Sequence, residues 1–449
     1  MQPQLIEKYA KPVPRYTSYP TAPHFNSDVD NETYKSWLGS LKKTDSLSLY
    51  VHIPFCDTLC WFCGCHTKHT LKYQPVADYL PILMKEITTI SKLAKTRPTA
   101  TRLHWGGGSP TILNPEDIQR LANHIKSSFE CSDDLEFSIE IDPRGISEEQ
   151  LDAMAEAGLT RASIGVQDFN LHVQERINRI QTYEETKRVV DGLRARGVKS
   201  LNLDVMYGLP NQTQQDVEAT VDKVILLDPD RIAFFGYAHV PWMKKHQTMI
   251  LEKSLPDNNK RFQQANHAAK RLIEAGYQQI GLDHFSKVGD ALAVAERENR
   301  LARNFQGYTE DNADALLGFG ASSISKLPQG YVQNITATLD YMREVENNGI
   351  AVAKGYAMSD EDRMRAHLIE KLMCNYAIDT GDLTKIFGDI ARPVEIELQD
   401  LHAHDEEGFI IKNESHYSIS KEGRPYIRSI AATFDTFFAS GKARHSSAV

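Results

Sequence analysis

No run of apolar residues in this chain approaches the ~18 needed to span a bilayer. The opening MQPQLIEKYAKPVPRY has neither an apolar signal core nor an Arg-rich, acid-free transit pattern, so the expected setting is cytoplasmic. Positive charge is in deficit too: 51 Lys and Arg against 60 Asp and Glu leave a formal charge of −9. That balance disfavours a broad basic face for nucleic acid or an anionic membrane, and it requires an anionic substrate to meet a local pocket of cations. Cysteine is scarce, and four of the six (Cys56, Cys60, Cys63 and Cys65) fall within ten residues while Cys131 and Cys374 stand alone. Such crowding without a secretory signal reads as metal or cluster ligation and excludes a disulfide framework. Internal repeats and low-complexity tracts are absent. What remains is a 449-residue chain of globular composition, long enough for a large catalytic body with smaller attachments.

From Ser46 to about Phe285 short β-rich runs alternate with helical patterns, the rhythm of a parallel α/β sheet. Strands are expected at 47–54, 102–106, 135–141, 162–167, 201–208, 232–240 and 278–285. The helices between them carry legible ends. Asn114 with Pro115 makes an N-cap, Ser147 with Gln150 and Thr182 with Glu185 have capping-box spacing, and Gly158 and Gly197 stand where a left-handed residue closes a helix. Six or seven such units imply a partial or complete (β/α) barrel with its functional rim at the C-terminal strand ends, a doubly wound open sheet being the alternative. After Phe285 the rhythm changes: 289–303 reads as helix, and NFQGYT and LGFGASSIS as glycine-punctuated loops. Ser359 to Asn375 reads as a capped helix. The expected division is an N-terminal arm over 1–45, the barrel over 46–330 and a mainly helical C-terminal domain over 331–449. That last domain has a winged-helix-like order of helix, hairpin and helix. From residue 393 onward it carries six Lys/Arg against nine Asp/Glu, so a lid or packing role is favoured over nucleic-acid binding.

The first strand runs directly into CDTLCWFCGC, placing the cysteines on the functional rim. Three thiolates spaced C-x3-C-x2-C can hold three irons of a cubane cluster and leave the fourth open to a substrate. A zinc site closed by Cys65, His66 or His69 is the alternative. The motif YVHIPFCDTLCWFCGC resembles the cluster motif of the radical S-adenosylmethionine (SAM) superfamily, and within it the oxygen-independent coproporphyrinogen III oxidases. PRYTSYPTA, HWGGGSPT, SIEIDPR, SIGVQDF, INRIQ, LNLDVMYGLP, NFQGYT and GFGASSIS extend the resemblance, in order, over roughly residues 10 to 440.

The resemblance implies a partial (β/α) barrel of the radical SAM type. It implies a 4Fe-4S cluster on Cys56, Cys60 and Cys63, with SAM chelated by the open iron, and a second SAM in the same site. By residue matching, Tyr50, Gly107, Glu140 and Ile324 face the first SAM. Phe62, Gly108, Ser109, Gln167, Arg179, Asp204 and Ala238 face the second. The family usually has Thr where this chain has Ser109, a change that keeps the hydroxyl. Cys65 occupies the position where the oxidases carry a cysteine near SAM but off the iron, and where related haem carriers carry an aromatic residue. The implied substrate is coproporphyrinogen III, oxidatively decarboxylated to protoporphyrinogen IX in haem biosynthesis, with a low-potential electron donor such as flavodoxin or ferredoxin and a monomeric chain. A haem-trafficking protein on the same scaffold is the alternative. The four carboxylates of that substrate call for cations at the pocket mouth, and Arg15 is a candidate.

Overall fold

The computed structural model describes residues 3–9 and 11–438. Twelve strands form one sheet: β1 (Ser46–Ile53), β2 (Thr99–Gly107), β3 (Glu130–Ile141), β4 (Arg161–Gln167), β5 (Ser200–Tyr207), β6 (Arg231–Gly236), β7 (Tyr277–Ile280), β8 (His284–Lys287), β9 (Ala315–Phe319), β10 (Ile324–Leu327), β11 (Gly330–Asn334) and β12 (Val352–Ala357). Their order is β12-β11-β10-β9-β1-β2-β3-β4-β5-β6-β8-β7. From β9 through β6 all neighbours are parallel, and the flanks at either end are antiparallel. The two edges do not pair with each other, so this is an open, curled (β/α) sheet.

The helix ends are those expected from sequence. Asn114 accepts from the Asp117 amide at 2.8 Å, Ser147 and Thr182 form reciprocal capping boxes, and Gly158 and Gly197 adopt φ of 88° and 83°. Four readings need correction, the first being the helix read over 289–303: only Ala291–Arg297 is helical, and Ala302–Asn304 is a strand. Residues 278–285 form the β7–β8 hairpin, broken at Gly281, whose φ is 58°. The seventh parallel strand is β9, which runs into LGFGASSIS as far as Phe319, a segment that sequence reading takes for a loop. Its glycines serve close packing: a Cβ on Gly318 would lie 2.7 Å from the Ile324 carbonyl oxygen across the β9–β10 ladder. NFQGYT likewise belongs to a small hairpin, Ala302–Asn304 with Gly307–Thr309.

The N-terminal end of the sheet's lumen is closed by ions. Arg161 and Arg231 open β4 and β6, and together with Arg102 they enclose Glu136 and Glu310; Arg231 also pairs with Asp290 at 2.6 Å. Burial pushes the Glu310 carboxyl up, but the surrounding guanidiniums outweigh it and hold it well below the usual carboxylate range. On the outer side, Glu86 is fully buried on helix Gln74–Leu93. It accepts from the Gly320 amide at 2.7 Å and from Tyr341 and Asn334 at 2.6 Å each, tying the helix to the ends of β9 and β11.

β11 and β12 lie beyond residue 330 yet belong to the same sheet, which ends at Ala357. A second apolar core then begins at Met364 and includes Leu368, Leu372, Phe409, Tyr417 and Phe434. We take the division between the two units to fall near Ser359, the N-cap of helix Asp360–Asn375. In the second unit, strands Ala377–Asp379, His416–Ile419 and Ile410–Asn413 form a small sheet beside helix Arg392–Ala403. The N-terminal segment divides its contacts. Val13, Tyr16 and Tyr19 are buried in the second core, whereas helix Asn31–Gly39 packs on the first through Tyr34 and Leu38.

Candidate active site

Alternation along the parallel strands sends every second side chain into the lumen. Tyr50 and His52 on β1, His104 on β2, Ser138 and Glu140 on β3, Ser163 on β4 and Asp204 on β5 thereby line one cavity of about 490 Å3. Cys65 and Ile324 join them at the rim. Of the residues assigned from the resemblance, the cavity gathers Tyr50, Cys65, Gly107, Glu140, Asp204 and Ile324. Phe62, Gly108, Ser109, Gln167, Arg179 and Ala238 are not among its lining residues. The set assigned to the first SAM thus faces the lumen, and the set assigned to the second, Asp204 excepted, does not.

Glu140 is held by the Gly107 amide at 3.1 Å and by His104 Nε2 at 3.3 Å. Burial pushes its carboxyl up, but His104, Gly107 and His52 outweigh that and the net displacement is downward, so Glu140 presents an anion to the lumen. Its seat depends on the triple glycine. A Cβ on Gly106 would lie 2.7 Å from Glu140 Oε1, and one on Gly107, at φ 112°, would lie 2.6 Å from the His52 ring. The Gly108 and Ser109 amides pair with the carbonyls of Ile53 and Phe55 at 2.8 Å, carrying the strand pairing out to the cysteine loop. His52 donates from Nε2 to the His66 carbonyl at 2.8 Å and accepts the Tyr50 hydroxyl at Nδ1 at 3.0 Å. Burial lowers its pKa to about 4, which keeps it neutral.

Asp204 accepts from Asn202 at 2.7 Å and from Ser163 at 3.2 Å. Burial and the Glu140 charge push its carboxyl from 3.8 up to about 6. Folding therefore holds this proton more tightly, and the ionised form costs stability from about pH 4 upward, in full above about pH 6. Asp204→Asn is expected to be about 1–2 kcal/mol more stable than the parent to urea at pH 8 and no more stable at pH 4. An equal difference at both pH values would count against this environment.

The three cysteines of the C-x3-C-x2-C spacing each have a sulfur partner from outside the trio. Cys56 Sγ meets Thr67 Oγ1 at 3.1 Å, Cys63 Sγ accepts the Cys65 amide at 3.3 Å, and Cys60 Sγ meets both Arg144 Nη2 and Arg179 Nη1 at 3.6 Å. Among the described residues no three His, Cys, Asp or Glu side chains converge closely enough for a single ion. Three soft sulfurs, separately supported, with two guanidiniums to offset their charge, fit an iron-sulfur cluster with one open iron. Asp142 anchors the guanidiniums, bonding Arg144 at 2.6 Å and Arg179 at 3.1 Å; burial raises its pKa, but they bring it down to about 2. Arg179 also donates to the Gly165 carbonyl at 2.8 Å, so it stands behind the cysteine loop with its side chain only 8% exposed. Gln167 closes β4 in the left-handed region at φ 66°, an unusual geometry for a non-glycine residue.

The loop backbone is caught from all sides. Asn178 donates to the Leu59 carbonyl, Gln247 to Phe62, His246 to Cys63 and Lys244 to Cys65, at 2.7 to 2.9 Å. Sequence reading missed these residues along with His52, His104 and Asp142. Period two from Tyr50 points to His52, and Asp142 lies within SIEIDPR. Nothing local marks Lys244, His246 or Gln247, which lie some 180 residues from the loop that they hold.

The profile of the radical SAM superfamily matches residues 50–224. Oxygen-independent coproporphyrinogen III oxidases from Cereibacter sphaeroides and Helicobacter pylori are 44% and 36% identical to this chain, over 436 and 442 residues; the alignments cover 97% of this chain and 96% and 97% of theirs. The solved structure of the coproporphyrinogen III oxidase of Escherichia coli, described as a radical SAM enzyme, superposes with a TM-score of 0.90 at 37% identity, covering 94% of this chain and 97% of that one.

Proposed function

Because the chain belongs to the oxygen-independent coproporphyrinogen III oxidase family of the radical SAM superfamily, we propose that it converts coproporphyrinogen III to protoporphyrinogen IX. The observation that carries this reading is the juxtaposition of the three supported cysteines with the Glu140 cavity and Cys65 on one rim. A 4Fe-4S cluster held by Cys56, Cys60 and Cys63, with SAM on its open iron, supplies when bound a radical able to take a hydrogen atom from an unactivated carbon. Each of two propionates loses a hydrogen atom from its β-carbon, one electron to an acceptor and its carboxylate as CO2, leaving a vinyl group. No protein base can remove that hydrogen as a proton, so this chain's residues bind, orient and exclude water.

Glu140, anionic and fixed by Gly107 and His104, would accept hydrogen bonds from the ribose hydroxyls of SAM. Tyr50 stacks on His104 with ring centroids 5.8 Å apart and forms one wall of the cavity. Cys65, whose sulfur is outside the supported trio, faces the same space. The second SAM would lie on the outer side of the triple glycine, against Phe62, Ser109 and Ala238, and would draw on Arg179 and Gln167. For that contact Arg179 would share its guanidinium between Asp142 and the ligand. The haem-carrier alternative finds no support here, since Cys65 is a cysteine at the discriminating position. Among the described residues no helix is long and apolar enough to cross a membrane. A reduced flavodoxin or ferredoxin is proposed as electron donor to a monomeric chain.

Anaerobic incubation of the iron-reconstituted protein with coproporphyrinogen III, SAM and a reductant is expected to release two CO2 per protoporphyrinogen IX. Stoichiometric haem binding with no CO2 release would reverse the reading in favour of a carrier. Equilibrium binding is expected to show two SAM per chain, with Arg179→Ala weakening one by about tenfold at unchanged iron content. A single site indifferent to Arg179 would remove the second SAM.

A further inference from the structure

Resting on the reading of the substrate as a tetracarboxylate, we propose that Arg15, Arg261 and Arg303 form an anion pocket at the ends of β5 and β6. It holds propionate carboxylates of the substrate while another propionate faces the cavity beside Cys65 and Glu140. The three residues come from separate parts of the chain. Arg15, in the N-terminal arm, donates to the Gly236 carbonyl at 3.2 Å, where β6 ends. Arg261, on helix Asn258–Glu274, lies 5.6 Å over the Tyr207 ring and beside Gly208 and Gly236; a Cβ on either would come within 3.0 Å of its guanidinium. Arg303, in the 302–309 hairpin, lies 4.3 Å over the Tyr308 ring and donates from Nε to the Arg15 carbonyl at 3.3 Å. Arg428 of the C-terminal unit adds charge behind them, bonding the carbonyls of Val13 and Pro14.

Little negative charge answers this convergence. Among the described residues none of Arg15, Arg261 and Arg303 makes an ion pair, and Arg261 Nε and Arg303 Nη1 are buried without a hydrogen-bond partner. Asp283 faces Arg15 and Arg303 but is already bonded to His284 at 2.6 Å. Arg15 is exposed and Arg261 half-buried; loss of water in the recess lowers the pKa of both, whereas Tyr308 and Asp283 outweigh it at Arg303 and raise that one. Gathering three guanidiniums around a single carboxylate that is already bonded elsewhere is unfavourable unless a ligand adds negative charge. The opposite end of the lumen shows that this chain matches buried arginines where they are structural, since Arg102, Arg161 and Arg231 there all face carboxylates. The pocket also adjoins the cavity. Asn304, Phe305, Gln306 and Tyr308 line it from the hairpin that carries Arg303, and Phe305, 39% exposed, offers an aromatic face. Charge beside an open aromatic wall suits an apolar macrocycle with carboxylates at its edge.

The test uses iron-reconstituted full-length protein with Arg261→Gln, Arg303→Gln and Arg303→Lys. Binding of coproporphyrin III and of its uncharged tetramethyl ester is followed by fluorescence quenching, and turnover is measured with coproporphyrinogen III. Each glutamine variant is expected to weaken coproporphyrin III binding by about tenfold or more and to raise KM similarly at unchanged iron content, with lysine recovering part of the loss. The ester is expected to bind weakly and equally to all forms. Glutamine variants with parental Kd and KM would overturn the pocket while leaving the enzyme reading standing, and so would an equal loss of ester binding, which would mark a packing role. Arginine-dependent binding of coproporphyrin III by a parent that makes no protoporphyrinogen IX would uphold the pocket and refute the enzyme.

Discussion

Replacing any one of Cys56, Cys60 or Cys63 by serine is expected to abolish both the 4Fe-4S absorption and all SAM cleavage. Cys65→Ser should retain the iron and lose most product formation. The hydrogen bonds set the four apart. The first three sulfurs meet Thr67, the Arg144–Arg179 pair and Cys65, whereas Cys65, which meets Cys63 through both its amide and its thiol, lines the cavity. A serine hydroxyl is a poor ligand for iron, and losing one of three ligands opens a second iron of the cube. Iron and sulfide assays on anaerobically prepared variants check this, beside single-turnover SAM cleavage. Full iron content in Cys60→Ser, or loss of iron in Cys65→Ser, would reassign the ligands.

Deleting residues 1–20 is the second large change. Sequence reading offers Arg15 of this arm as a cation at the pocket mouth. The structure adds a structural role: Val13, Tyr16 and Tyr19 are buried in the second core, Tyr16 donates to Asp435 at 3.0 Å, and Arg428 bonds the arm's carbonyls. Losing a buried aromatic side chain typically costs about 3–5 kcal/mol, so two such losses rival the stability of a whole domain. The C-terminal unit is therefore expected to melt early. The cysteine loop should survive, because its anchors lie between His52 and Thr336, and the first core contains nothing before Val29. The expected result is a new low-temperature calorimetric transition, near-parental iron content and uncoupled SAM cleavage, and protoporphyrinogen IX formation reduced at least about a hundredfold. Loss of the cluster together with the arm would show that the two units are not separable in this way.

Much of the site was legible because it follows the period of a strand. Glu140, Gln167 and Asp204 are polar interruptions of apolar strand runs, and the structure brings Glu140 and Asp204 into one lumen but not Gln167; Tyr50, which joins them, follows from the resemblance alone. The cysteine spacing was readable because all its members lie in one loop. Arg179 shows where this stops. By sequence alone it passes for a surface helix residue; it lies in the loop between helices Leu171–Arg176 and Tyr183–Ala195, and its pairing with Asp142 and its contact with Cys60 depend on how two rim loops approach each other. The strand β9 was obscured by Gly318, read as a turn signal when it is the small residue that a tight antiparallel neighbour demands.

By itself the sequence determined the parallel α/β rhythm, the capped helix ends, the cluster-type cysteine spacing and the net negative charge. These are properties of neighbours in the chain, set by backbone geometry, side-chain period and composition. Only the tertiary structure decided that the sheet stays open and runs on to Ala357, that the N-terminal arm completes the C-terminal core, and that Lys244, His246 and Gln247 hold the cysteine loop. It also decided that Arg15, Arg261 and Arg303 meet at one strand end. Those arrangements join residues up to several hundred positions apart, and long-range packing and charge, to which no local pattern is sensitive, bring them together.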